Sequence, residues 1–101
     1  MESIESMLTS FLKQLKLSNY KDAVRNRVDV AALISQSFPE QLKQAKLMAP
    51  NYADEARKFD INSVMEIFRN EHQDVYYYFK TDRTAMQWLE ITVQNVKKLL
   101  Y

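Results

Sequence analysis

Apolar positions recur at helical intervals along most of the chain, and the longest such run lies near the C-terminus. There Ala85, Leu89, Thr92, Val93, Val96, Leu99 and Leu100 follow the i, i+3/i+4, i+7 rule with Trp88 beside them. That spacing puts side chains on one face of a 3.6-residue helix, and it predicts a long helix over 82–100 on which the others pack. Just before it stands an aromatic block, Val75-Tyr76-Tyr77-Tyr78-Phe79, followed by a polar break at Lys80-Thr81-Asp82.

The N-terminus carries a second clear stripe, Ile4, Met7, Leu8, Phe11, Leu12 and Leu15. It predicts a first helix with Ser3 as N-cap and Lys13 and Lys16 at its carbonyl end, where the dipole favours cations. Ser18 then opens a short helix over 19–27 with Tyr20, Ala23 and Val24 inward. Asp29 caps a segment over 30–35, whose β-branched residues would also suit a strand if a second strand existed to pair with it. Pro39 is placed at the first position of a helix reaching about Met48, with Leu42, Ala45 and Leu47 or Met48 inward.

Ala49-Pro50 is a boundary, because the residue before proline is pushed out of the helical region. A weakly apolar helix over 51–59 uses Tyr52, Ala53, Ala56 and Phe59. Asp60 caps a helix over 61–70, the polar turn 70–74 follows, Asp74 caps the aromatic block, and residues 81–84 cap the last helix. The expected core is Ile4, Leu8, Phe11, Leu12, Leu15, Tyr20, Val24, Leu33, Leu42, Ile61, Val64, Phe68, Val75, Phe79, Leu89, Val93 and Val96. With no internal repeat and no linker, residues 1–101 read as a single all-α domain. The expected form is a compact orthogonal bundle of five to seven helices closed by a long C-terminal helix.

Composition sharpens this picture. Gly is 0 and Pro is 2, which disfavours hairpins and bulges and excludes glycine-built phosphate loops. Cys is 0 and His72 is the single histidine, so no disulfide, thiolate nucleophile, metal site or cofactor is expected. A hydrophobic share of 47% argues for a folded core, and a net charge of +1 sets up no strong field toward nucleic acid or an anionic membrane. No apolar run approaches ~20 residues and the start lacks a signal-peptide pattern, so a cytoplasmic, intracellular protein without membrane association is expected.

Two candidate surfaces emerge. Consecutive helical residues point about 100° apart, so Tyr76, Tyr77 and Tyr78 cannot all be buried on one face. Together with Met86, Trp88, Leu100 and Tyr101 they exceed what one inward stripe holds. The surplus predicts an aromatic anchor for a protein partner or a second copy of the chain. The expected role is a non-enzymatic protein–protein interaction module, as a homodimer or a small subunit of a larger assembly. The alternative is a small nucleic-acid-binding protein or regulator using Lys13, Lys16, Lys21, Arg25 and Arg27, with Tyr20 interleaved and Asp22 the one carboxylate among them. His72 lies between Glu71 and Gln73-Asp74, where a general base is conceivable, but no nucleophile accompanies it and no catalysis is expected. The pair Asp54-Glu55 and Glu66 read as solvated helix faces.

The series Phe11-Leu12, Leu15, Leu17, Tyr20, Val24, Val28-Asp29, Ala32-Leu33, Leu42 and Leu47 resembles the spacing of sterile alpha motif domains over about residues 11–47. That resemblance implies a small helical bundle that self-associates or binds partners, RNA in some members. Lys16, Val30 and Lys46 stand where the family commonly has glycine, and one residue is missing before Val28. It implies no site residue.

Overall fold

The computed structural model describes residues 4–48, 54 and 57–99, and the described residues are helical with short connections. In chain order the helices are α1 (Ile4–Gln14), α2 (Leu17–Arg25), α3 (Val30–Ser37), α4 (Pro39–Met48), α5 (Ile61–Glu71), α6 (Gln73–Thr81) and α7 (Arg83–Leu99). The fold is therefore an all-α bundle closed by its longest helix. The β-branched stretch after Asp29 is helical, as α3. Several expectations fall outside the described residues: the Ser3 cap, the Ile4, Ala45 and Met48 side chains, the Ala49-Pro50 boundary, most of the helix over 51–59, and Leu100 and Tyr101.

Local chemistry accounts for the helix starts. Asp29 accepts from the Ala32 amide at 3.1 Å and so caps α3. At α5, Asp60 accepts from the Ser63 amide (2.8 Å) while Ser63 Oγ accepts from the Asp60 amide (3.0 Å), a reciprocal capping box. Asp82 accepts from Ala85 at 3.0 Å and starts α7. Two caps differ from expectation. α2 begins at Leu17 rather than after Ser18, because Asn19 Oδ1 reaches back to the Lys16 amide at 2.9 Å. α6 begins at Gln73 with His72 as its N-cap, and Asp74 instead sits in the first turn, accepting from Val75 at 2.8 Å. The expected turn over 70–74 thus shrinks to one residue, His72, which ends α5 and begins α6.

α2 ends in a Schellman motif. The Val28 amide donates to the Ala23 carbonyl (2.9 Å) and the Arg27 amide to the Val24 carbonyl (3.2 Å). This geometry places Arg27 in the left-handed region, at φ 50°, where glycine normally serves. A non-glycine residue there costs on the order of 1 kcal/mol. Arg27→Gly is expected to relieve it, with part of the gain offset by the looser unfolded chain, for a net stabilisation of up to about 1 kcal/mol. A urea melt checks this; a clear loss of stability would mean that the Arg27 side chain holds the α2–α3 corner.

α7 lies at the centre. It touches α2, α3, α5 and α6, which is why apolar positions run around more than one side of it. Its buried residues are Ala85, Leu89, Thr92, Val93 and Val96, and Val64, Phe68, Val75 and Phe79 from α5 and α6 are fully enclosed. Most of the expected core is buried or packed against it, with one correction: Leu33 is 46% exposed, and Val30, Ala31 and Ile34 occupy the inward side of α3. α3 starts at Val30, so the inward face is set by the phase of its packing on α7 rather than by the most apolar residue available. Phe59, Ala85 and Thr92 are buried as well.

Four aromatic rings form the heart of this core. Phe79 stacks on Phe68 (5.6 Å between centroids) and on Trp88 (6.1 Å), and Tyr20 meets Phe68 and Phe79 edge-on at 5.3 and 5.4 Å. Edge-to-face and offset arrangements are the ones the ring quadrupole favours. Three of the polar aromatic side chains also satisfy backbone carbonyls, two at the end of α1 and one in the α2–α3 connection. Tyr20 donates its hydroxyl to Leu12 O at 2.8 Å, His72 Nε2 lies 2.6 Å from Lys13 O, and Trp88 Nε1 donates to Val28 O at 3.2 Å. The first two tie the end of α1 to α2 and to the α5–α6 joint. The third ties the α2–α3 corner to α7.

Candidate interaction surface

α6 presents aromatic side chains outward. Val75 and Phe79 point into the core with no exposure, which turns Tyr77 to the crest and leaves Tyr76 and Tyr78 half-buried on its two shoulders. Tyr77 is 60% exposed, among the most exposed large apolar side chains described. Tyr76 meets Tyr77 edge-on at 5.5 Å, and Tyr78 packs against Phe79 at 5.1 Å.

A lysine holds each shoulder. Lys80 Nζ lies 5.2 Å from the Tyr76 ring centroid and donates to its hydroxyl at 3.1 Å, one helical turn along α6. This hydrogen bond is the main reason the Lys80 ammonium pKa is raised. Lys21, from α2, sits 5.7 Å over the Tyr78 ring. Burial, then the Asp82 carboxylate, raises the Tyr78 hydroxyl pKa, while the nearby Arg25 charge lowers it. The aromatic block and part of the basic segment, read from sequence as separate surfaces, therefore meet along the α2–α6 seam. Sequence separation hid this, since Lys21 and Tyr78 become neighbours only through the packing of α2 on α6.

The remaining candidates are distributed elsewhere. Trp88 and Met86 are half-buried and packed on the core, and the Trp88 indole is committed to Phe79 and Val28, so neither stands free as an anchor. Tyr20 is buried at 1% exposure, inside the aromatic cluster, and has no face to offer a base. Of the basic segment, Lys13 turns toward Glu71 on α5 (3.5 Å) and Arg25 pairs with Asp22 within α2 (3.6 Å). Lys16 and Arg27 are exposed at the two ends of α2. Lys21 and Arg25 thus share the side of α2 that meets Tyr78, while Lys13 turns to α5. The exposed pairs are worth about 0–1 kcal/mol each.

His72 is engaged as a connector between helix ends, with its Nε2 on Lys13 O. Among the described residues no group of three or more His, Cys, Asp or Glu side chains is placed to hold a metal ion, and no helix is long and apolar enough to cross a membrane. A small apolar cavity of about 20 Å³ lies among Leu8, Phe59, Val64 and Leu89, too small for a ligand and without polar lining. The exposed aromatic surface among the described residues is the crest of α6 with its two lysine-held shoulders; the other exposed large apolar side chains are the isolated aliphatic Leu33, Leu47 and Ile91 on other helices. No family model, no curated protein and no solved structure matches the chain.

Proposed function

We propose that the protein is a non-enzymatic interaction module that binds a protein partner on the outer face of α6. The observation that carries this reading is Tyr77, exposed at the crest between two tyrosines each held by a lysine. Tyrosine brings a large apolar area and a polar tip, and it is enriched at the energetic centres of interfaces. The shoulders are already ordered by Lys80, Lys21 and Phe79, so little side-chain entropy remains to be lost on binding.

The alternative, nucleic-acid binding through residues 13–27, has weaker support. Its cations are divided, Lys13 being turned to Glu71 and Lys21 and Arg25 to the Tyr78 side, and the ring beside the latter is covered by Lys21. Stacking of bases needs open ring faces.

The test is selection of random peptides displayed on phage against the full chain. Peptides recovered on the native protein are expected to lose about 2 kcal/mol, roughly thirtyfold, on Tyr77→Ala and to be unaffected by Ile91→Ala on the outer face of α7. Recovered peptides that bind Tyr77→Ala undiminished would refute the reading. A single-stranded oligonucleotide retained at ~50 mM salt and released by Lys21→Gln would put nucleic acid in its place.

A further inference from the structure

We infer that the segment recognised on α6 is acidic on both sides of an apolar residue, with its carboxylates meeting Lys21 and Lys80 and its apolar side chain lying on Tyr77. This rests on the reading of the α6 crest as the interaction face. Among the described residues neither Lys21 nor Lys80 is paired with a carboxylate; each lies instead over a tyrosine ring. A ring face draws in the ammonium but does not neutralise it, and the other N–H groups of each lysine still need acceptors. Among the described residues these two cations thus stand in no ion pair, while the neighbouring Arg25 and Arg69 have Asp22 and Glu66.

Geometry sets the spacing of the partner's charges. Tyr76 and Tyr78 lie on opposite shoulders of one helix, so their lysines stand on opposite sides of it, about a helix diameter of 10–12 Å apart. An extended chain rises ~3.3 Å per residue with alternate side chains on one face, so positions i and i+4 are ~13 Å apart with i+2 between them. A segment of the pattern acidic–x–apolar–x–acidic laid across α6 thus brings a carboxylate to each lysine and the central side chain to Tyr77.

The same features favour a carboxylate-bearing peptide over a nucleic-acid strand. Asp22 and Asp82 stand on the Tyr78 side of α6, through Arg25 and Tyr78, and Glu66 on the Lys80 side, through Arg69. A phosphate chain would carry its dense, regular charge past them, whereas two carboxylates held apart by neutral residues avoid them.

The experiment titrates the ¹⁵N-labelled full chain with a capped peptide Ser-Glu-Ser-Leu-Ser-Glu-Ser, its Gln-for-Glu analogue, and an oligothymidine strand, at ~50 and ~300 mM salt. The Glu peptide is expected to shift amides of α6 and of α2 around Lys21. The Gln analogue should bind at least tenfold more weakly. The variant carrying Lys21→Gln and Lys80→Gln, both exposed positions, should lose the same factor with an unchanged circular-dichroism spectrum. High salt should weaken the Glu peptide and leave the Gln analogue unchanged, as the shorter screening length requires. Equal binding of the Glu and Gln peptides, or no binding of either, overturns the acidic pattern; the displayed peptides' dependence on Tyr77 would then still decide the interaction reading separately. Oligothymidine shifting the same amides more tightly than the Glu peptide overturns the choice of partner.

Discussion

Phe79→Ala is expected to cost about 3–5 kcal/mol, enough to unfold a substantial fraction of a domain whose whole stability is on the order of 5–15 kcal/mol. Phe79 is fully buried and touches Phe68, Tyr20, Tyr78 and Trp88. Truncation leaves a cavity whose walls come from α2, α5, α6 and α7. Those elements are joined to one another by these same rings, so the gap has little freedom to close. The consequence extends to function, since Val75 and Phe79 are the residues that hold Tyr77 outward. A urea melt followed by far-UV circular dichroism and by Trp88 fluorescence reads the effect, because the indole stacks on Phe79. Phe79→Leu, which keeps most of the volume, should lose much less. A loss below ~1 kcal/mol for the alanine variant would mean that the cluster is not the core's keystone.

Tyr20→Phe is expected to cost about 1–3 kcal/mol although it removes a single oxygen. The ring contacts with Phe68 and Phe79 survive, but the Leu12 carbonyl at the end of α1 loses its donor in a buried place. The same residue predicts an alkaline limit. Burial raises the Tyr20 hydroxyl pKa well above its ordinary value of 10.0. The folded state therefore holds this proton where the unfolded chain releases it. Its contribution is fully present below about pH 10 and is lost as the pH rises beyond it, by up to about 1.4 kcal/mol per pH unit. Melts between pH 8 and 12 are expected to show this fall in the native protein and a shallower one in Tyr20→Phe. Equal slopes would assign the alkaline loss to other groups.

Much of the fold was readable from the chain because helix periodicity and capping are local. The stripes at Leu8-Phe11-Leu12 and Val64-Phe68, and the caps Asp29 and Asp60, depend on residues no more than a few positions apart. At two places a contact from elsewhere overrides these local signals. Asp74 is a stronger cap by type than His72, yet the N-cap of α6 is His72, whose ring lies against Lys13 O, 59 residues away. Leu33 is more apolar than Ala31, yet it faces outward because α3 packs on α7 through Val30, Ala31 and Ile34.

The candidate surface divides the same way. That one of three consecutive tyrosines must be exposed follows from the 100° step of the helix and needs no structure; Tyr77 in that place follows from Val75 and Phe79 being inward. The lysine over Tyr78 could not be read from the chain, since 57 positions separate Lys21 from it and only the docking of α2 on α6 brings them together. The same holds for the long C-terminal run. Its sequence determined that it would be a helix with apolar residues on more than one side, a width that fits either a central helix or a helix shared with another chain. The tertiary structure placed α2, α3, α5 and α6 against it, so Trp88 and Met86 are used within the fold and the outward aromatic surface falls to α6. Periodicity specifies which side chains share a face. What covers that face is set by long-range packing, to which no local pattern refers.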